Sequence, residues 1–375
     1  MQPRQPHEVE DKTHALAVNV AQWNILADGL AQKGQFTYAR QDILSWNHRE
    51  PRIVQYLVDD AAYDFITLQE VNRVDSLVDS LNAQVSKITD HWYKEKHELG
   101  RRYQYIFEPK CPSPLEGTEF PPDGPAIVFD DRRWQLLERQ RIEFYHDENW
   151  LGHATEDPPS MCEGNSDIKQ HSQRAIAGLF RYLPHDQSNP GNRREVTVIV
   201  CSMHFKAKEG AENERQRLSQ AAQLKNALAR LRNKWGSDSH NDHHLPPVFV
   251  GCDMNDIPES ATHKVMTDRQ SSSETTAMPI DSIELKLQSA YERTSWPEFT
   301  TWKFRTDPAT DEIVEKKRNI DHIFFDISQS VGWSLSNTHA LPNQVEIGCH
   351  GLPTEHYPSD HCKLAAKFHF QQPTC

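Results

Sequence analysis

Tyr357-Pro358-Ser359-Asp360-His361, followed by the apolar run Cys362 to Phe370, sets a carboxylate beside an imidazole just before a strand-like segment. Histidine takes a proton from water near neutral pH when a second carboxylate orients its other ring nitrogen, so the pair directs attention upstream. Asp321 opens another apolar strand-like run, Asp321-His322-Ile323-Phe324-Phe325, and is the candidate partner for His361, which leaves Asp360 free to hold a metal. An Asp-His pair before a strand also arises in purely structural settings. The other strand ends of the chain therefore decide how it is read.

Working back towards the N-terminus, His14 to Asn24 reads as a buried strand ending on an amide, Asn24, and Asp64 to Val71 as a strand from which Glu70 emerges. A lone glutamate at a strand end is as often simply solvated. Trp46 to Asp60, Arg73 to Trp92 and Glu209 to Trp235 carry apolar residues at helical spacing and serve packing. After a strand at Tyr103 to Phe107, the proline-stiffened loop from Glu108 carries Lys110, which could meet a phosphate or face water, and a further strand covers Ala126 to Phe129. Strands are expected at Gln173 to Tyr182 and at Glu195 to Phe205, the second running into Ser202-Met203-His204-Phe205-Lys206-Ala207-Lys208. Alternation along an extended segment would bring His204, Lys206 and Lys208 to one side, around a phosphoryl oxygen or into solvent. Pro247 to Asp256 ends on Asp253 and Asn255, which alternation aims the same way; Asp253 could align a water and Asn255 hold a phosphate. Thr300-Thr301-Trp302-Lys303-Phe304-Arg305 is a short β-prone run delivering the cation Arg305, or a plain surface strand. His240 to His244 is read as a solvated loop.

With 375 residues, 37% of them hydrophobic and 25% charged, the chain suits a soluble globular protein with a sizeable core. Acidic residues exceed basic ones by 54 − 41 = 13, so a phosphate-bearing ligand must be held by a local basic cluster or a metal, and a long polyanion is disfavoured. Seven cysteines without a Cys-x-x-Cys pair fit free thiols in a reducing compartment. Residues 1–14 are expected to form a mobile tail, 15–371 one domain, and 145–170 a flexible loop. With no signal-like or membrane-spanning run, the cytoplasm is the expected address, with the nucleus as a second.

The ordered set Asn24, Glu70, His204, Asp253 with Asn255, Asp321, and Asp360 with His361 resembles the endonuclease/exonuclease/phosphatase superfamily over about residues 15–370. Within it the likeness is to the nocturnin branch and its deadenylase-like relatives, carried by Trp23-Asn24-Ile25-Leu26-Ala27-Asp28-Gly29, Leu68-Gln69-Glu70-Val71, Pro109-Lys110, Ser113-Pro114, His204-Phe205-Lys206-Ala207, Thr300 to Arg305, and Tyr357 to His361. The Thr-Thr-Trp-Lys and Tyr-Pro-Ser-Asp-His runs are the more specific. Two departures stand out. Cys252 precedes the Asp-x-Asn pair where the family has glycine, with Gly251 one place earlier; Lys208 stands where the nocturnin branch has arginine, replacing a planar fork by a point charge.

The resemblance implies an α/β fold, a two-sheet sandwich of DNase I-like type, with the site at one end of the sheets. Together with the residue chemistry it implies that Glu70, Asn24 and Asp360 hold magnesium, with manganese as an alternative. Asp253 would align the attacking water, His361 oriented by Asp321 would exchange protons, and Asn255 with His204 would bind the phosphoryl oxygens. Lys110, Lys206, Lys208 and Arg305 would bind substrate. The implied activity is removal of the 2′-phosphate of NADP and NADPH; a 3′ exoribonuclease acting on poly(A) RNA is the alternative. An inactive RNA or protein adaptor on the same fold is a third reading, which intact Glu70, Asp253 and His361 disfavour.

Overall fold

The computed structural model describes residues 16–31, 36–59, 62–92, 102–110, 120–145, 170–184, 195–237, 245–267, 285–306, 310–328 and 332–370. The tail at 1–14, most of the 145–170 loop, Ser113-Pro114 and the His240–His244 cluster fall outside them.

In chain order the strands are β1 Leu16–Asn24, β2 Phe65–Val71, β3 Tyr103–Phe107, β4 Gly124–Asp130, β5 Trp134–Tyr145, β6 Gln170–Tyr182, β7 Thr197–His204, β8 Val248–Asp253, β9 Leu287–Ser289, β10 Thr301–Thr306, β11 Ile313–Arg318, β12 Asp321–Asp326, β13 Trp333–Thr338 and β14 Leu364–Phe370. They make two six-stranded sheets, β13-β14-β1-β2-β4-β3 and β5-β6-β7-β8-β12-β9, and a separate β10–β11 hairpin. Each sheet carries one parallel pair at its centre, β1 with β2 and β7 with β8.

Side-chain alternation sorts the apolar residues into three layers. Between the sheets lie Val18 and Val20 of β1, Phe65 of β2, Val198 and Val200 of β7, Phe249 of β8, and Ile323 and Phe325 of β12. The opposite face of the first sheet, with Ala21, Trp23, Ile66 and Leu68, packs on Ile53 and Leu57 of helix Trp46–Asp59 and on Leu77 and Leu81 of helix Val74–Trp92. The opposite face of the second, with Cys201, Met203, Val248, Val250 and Cys252, packs on Leu224, Leu228 and Trp235 of helix Ala211–Ser237.

This layering answers the Cys252 departure. Cys252 is wholly buried on the helix side, while Gly251 faces the other sheet, where a Cβ would stand 1.8 Å from Thr67 Oγ1. Glycine is thus required at 251 by the close approach of the sheets, and Asp253 stays at the strand end. Strand β5 extends through Glu143 to Tyr145 and β6 begins at Gln170, so both ends of the expected long loop are strand. Strands β5, β9, β11 and β13 were not expected; β9 is only three residues long, and the other three carry exposed or half-buried side chains along most of their length, which erases the hydrophobic signal.

Candidate active site

Along the interior of the sandwich the inward positions of the central strands turn polar at one end. The inward series in β1 runs Val18, Val20, Gln22, Asn24; in β2 Phe65, Thr67, Gln69; in β7 Val198, Val200, Ser202, His204; in β8 Phe249, Gly251, Asp253. Strand β12 runs the other way and begins with Asp321. His204 is paired with Asp253 across β7–β8, and Asp253 with Asp321 across β8–β12, so three titratable side chains stand on adjacent strands of one face. Beneath them is a hydrogen-bonded amide layer. Gln22 Nε2 donates to Gln69 Oε1 at 2.7 Å and to Asp321 Oδ1 at 3.2 Å, and Gln69 Nε2 donates to Ser202 Oγ at 3.2 Å.

Glu70 reaches this end by a local irregularity. Strict alternation would put it on the helix side with Leu68. Instead it adopts φ 57° and the β2–β4 register shifts between Leu68 and Val71, which turns its carboxylate to the site. There Oε2 accepts from the Ala27 N–H at 3.1 Å and Oε1 lies 3.9 Å from His204 Nδ1. Asn255 is also left-handed, at φ 53°. It converges with Asp253 through this turn rather than through strand alternation: its N–H donates to Asp253 Oδ1 and its amide nitrogen meets His204 Nε2, both at 2.9 Å. Asn24 spans the two sheets, donating from Nδ2 to Asp253 Oδ2 at 2.9 Å while its Oδ1 accepts from the Leu26 N–H at 3.0 Å.

The Asp360-His361 segment is pinned by its backbone. Trp23 Nε1 donates to the His361 carbonyl at 2.7 Å, Ser359 Oγ to the Asn24 carbonyl at 2.6 Å, and Thr301 Oγ1 to the Asp360 carbonyl at 2.7 Å. His361 Nδ1 meets Asp321 Oδ2 at 2.9 Å, as expected, and its Nε2 faces Asp253 Oδ2 at 3.8 Å and Asp360 Oδ2 at 3.9 Å. Burial alone would lower the pKa of His361, but Asp321, Asp360 and Asp253 outweigh it and raise it to about 9. It therefore stands as an imidazolium at neutral pH in the metal-free protein, equipped to give a proton before it takes one. His204 moves oppositely, lowered to about 4 by burial and by nearby Lys110, and stays neutral. Burial also raises the pKa of Asp253, against the pull of both histidines.

One oxygen each of Asp253 and Asp321 and one ring nitrogen of His361 lie within 4.8 Å of one another. With His361 Nδ1 committed to Asp321 and Nε2 left facing Asp253, this cluster can exchange protons, and its donor atoms are also close enough together to hold a metal ion. The oxygen donors for a hard cation lie alongside it. Among the described residues no lysine or arginine pairs with Glu70, and Asn24 Oδ1 keeps a second lone pair. These residues fit a divalent ion at Glu70.

The expected cations fare unevenly. Lys110 pairs with Asp123 at 2.6 Å, and Arg305 lies 3.9 Å from Asp360 and over the Phe36 ring. Lys206 is half-buried and Lys208 exposed. Lys208 has φ 78°, so the extended alternation ends with β7 and does not carry it to the side of His204. The carbonyls of both lysines instead accept from buried Arg217, at 3.1 and 2.8 Å. Asp360 also departs from expectation: its carboxylate is not free, since Lys303 Nζ binds it at 2.5 Å. Lys303 was passed over although alternation in β10 puts it on the face of Arg305, a signal that was available.

Fold and site together define an α/β sandwich of DNase I-like type, with an Asp-oriented histidine and a ring of carboxylates at the ends of its central strands. The sequence profile of the Endonuclease/Exonuclease/phosphatase family matches residues 21–361, and the chain belongs to that family. It is 28% identical to Nocturnin of Rattus norvegicus over 95% of this chain and 66% of that protein, and 27% identical to Nocturnin of Homo sapiens over the same shares. The chain thus spans just under two thirds of these relatives. Among solved structures it resembles the human Nocturnin catalytic domain with bound sulfate (TM-score 0.57, 22% identity, 95% of both chains) and ANGEL2, a 2′,3′-cyclic phosphatase (TM-score 0.61, 18% identity, 96% of this chain and 97% of that one).

Proposed function

We propose that this chain is a divalent-metal-dependent phosphoester hydrolase that removes the 2′-phosphate of NADP and NADPH. The observation that carries the hydrolase reading is the buried Asp321-His361-Asp253 cluster standing beside the carboxylate of Glu70, which has no lysine or arginine ion-pair partner among the described residues. Glu70 with Asn24 would hold magnesium or manganese. Such an ion supplies Lewis-acid polarisation of the phosphoryl group and offsets its growing charge. Asp253, raised by burial, orients a water and accepts its proton as the water oxygen bonds to phosphorus. His361 gives its Nε2 proton to the departing ribose oxygen as the phosphorus–oxygen bond breaks, and Asp321 holds the ring in place. Asn255 and His204 exchange their mutual hydrogen bond for contacts to the nonbridging oxygens.

The choice of a compact dinucleotide rests on charge. The chain is acidic overall, and Lys110, Lys303 and Arg305 each face a carboxylate, which leaves little continuous positive surface to track a long strand. The likeness to Nocturnin over 95% of the chain supports it. Exoribonuclease action on poly(A) keeps one specific support: the CCR4-Not complex 3′-5′-exoribonuclease subunit Ccr4 of Neurospora crassa is 31% identical over 144 residues, 38% of this chain.

The test is product release by the purified protein with magnesium, from NADPH, NADP, coenzyme A and short poly(A) RNA in parallel, beside Glu70→Gln. Phosphate from the dinucleotides, absent in a folded Glu70→Gln variant, is the expected result. AMP from RNA without phosphate from the dinucleotides would move the assignment to the exoribonuclease, and silence on all four would point to other phosphoesters before an inactive adaptor.

A further inference from the structure

The charged groups at this end of the sandwich pair off unevenly. Asp321 is matched by His361 at 2.9 Å, and Asp360 by Lys303 at 2.5 Å with Arg305 at 3.9 Å. Glu70 has no lysine or arginine partner among the described residues. The Lys303 contact is built in. The β10 backbone is stapled to the segment that carries Asp360, through pairing of Thr301 with His361, the Cys362 N–H donating to the Thr300 carbonyl at 2.6 Å, and Thr301 Oγ1 donating to the Asp360 carbonyl. Alternation then sends Lys303 and Arg305 to the same side, and the Lys303 side chain is only 14% exposed against 4% for Asp360. An ammonium so far removed from water needs its carboxylate.

We propose that Lys303 takes the place of a metal ion on Asp360: its ammonium neutralises that carboxylate, so a divalent cation at Glu70 has no second ion on Asp360 beside it. A divalent ion on Asp360 would have to displace the ammonium at 2.5 Å and bear the guanidinium of Arg305 beside it. A lysine suits this role because it presents a compact point charge. Lys303 is thereby a positioning residue: it keeps Asp360 charged and its carboxylate turned to the hairpin, 3.9 Å from His361 Nε2.

The inference rests on the metal-dependent reading above, and the test separates the two. Manganese is titrated into metal-free full-length protein and followed by electron paramagnetic resonance and calorimetry, with melting curves to verify folding. The wild type should bind Mn²⁺ at a site lost in Glu70→Gln, and no bound ion should be lost in Asp360→Asn. Lys303→Met should acquire an additional Mn²⁺, bound at least about tenfold more tightly than any such ion in the wild type, the counterpart of one unit of electrostatic preference. Adding Asp360→Asn to Lys303→Met should abolish the additional ion, and Lys303→Arg should gain none. A wild type that loses a bound ion in Asp360→Asn overturns the proposal, as does a folded Lys303→Met that gains none. A wild type that binds no Mn²⁺ overturns the metal-dependent reading and this proposal with it.

Discussion

Replacing Asp321 by asparagine removes one charge from the pair that sets the protonation of His361 and leaves the shape of the site. Asp321 Oδ2 lies 2.9 Å from His361 Nδ1, both side chains are almost fully buried, and among the groups that raise the imidazole Asp321 is the strongest. The raised value of about 9, against an ordinary 6.5, is worth about 3 kcal/mol of preference for the imidazolium. That preference is what remains after burial has opposed it, so without Asp321 burial should prevail and bring the group to about 7 or lower. The fold is expected to survive, because Gln22 already donates to the other Asp321 oxygen and has a buried, unpartnered carbonyl that an asparagine amide can reach. Two measurements read the result. Imidazole NMR titration of the metal-free protein should show His361 moving from about 9 in the wild type to near or below neutrality in Asp321→Asn. The alkaline limb of kcat against pH should shift in the same direction, with kcat at pH 8 down by about 10²- to 10³-fold and KM within about threefold, since Asp321 touches no substrate. An alkaline limb unchanged in Asp321→Asn, or a loss of kcat below about fivefold, would refute the assignment of His361 as an Asp321-supported acid.

Two further outcomes follow from the same interior. His204 binds its proton in the unfolded chain at pH 6.5 but not in the folded one until about pH 4, so folding stability of the metal-free protein should fall as pH drops through that window, by about 3 kcal/mol. His361 has the opposite sign, its stabilisation complete below pH 6.5 and lost as pH rises through about 9; urea denaturation across pH should show both limbs, with His204→Gln flattening the acid one. Gly251→Ala should destabilise by at least about 3 kcal/mol, because its Cβ would meet Thr67 Oγ1 at 1.8 Å, and adding Thr67→Ala should recover part of that loss in the same assay.

How much of this was legible in the sequence depends on whether a residue's role is fixed by alternation or by a break in it. The interior strands β1, β2, β7, β8, β12 and β14 combine apolar runs with sharp polar ends, and their bounds lie within a few residues of the expectation. The Asp321–His361 pair was legible for the same reason: each residue stands where a strand enters or is about to enter the core. Edge strands β5 and β13 and the hairpin strand β11 are wetted along most of their length and leave no periodic mark. Glu70 and Asn255 were picked by residue type and position, but the sequence contains no sign of the left-handed backbone that turns them inward. Lys208 shows the reverse, a case where alternation was extended past the point at which the chain stops being a strand.

Asp360 shows the effect of a distant partner. An isolated reading of Ser359-Asp360-His361 treats its carboxylate as available, because the residue that occupies it lies 57 positions earlier on a separate hairpin. Strand alternation within Thr300 to Arg305 does predict that Lys303 accompanies Arg305, yet it cannot say which carboxylate they face. That follows only from the backbone pairing of Thr301 with His361, which is long-range and leaves no local trace. Two carboxylates that look equivalent in the sequence, Glu70 and Asp360, are thus separated by a tertiary contact into one without a lysine or arginine ion-pair partner among the described residues and one held by Lys303. Residue type alone would give both the same task, so the availability of Asp360 is a property of the hairpin's placement as much as of the acidic residue itself.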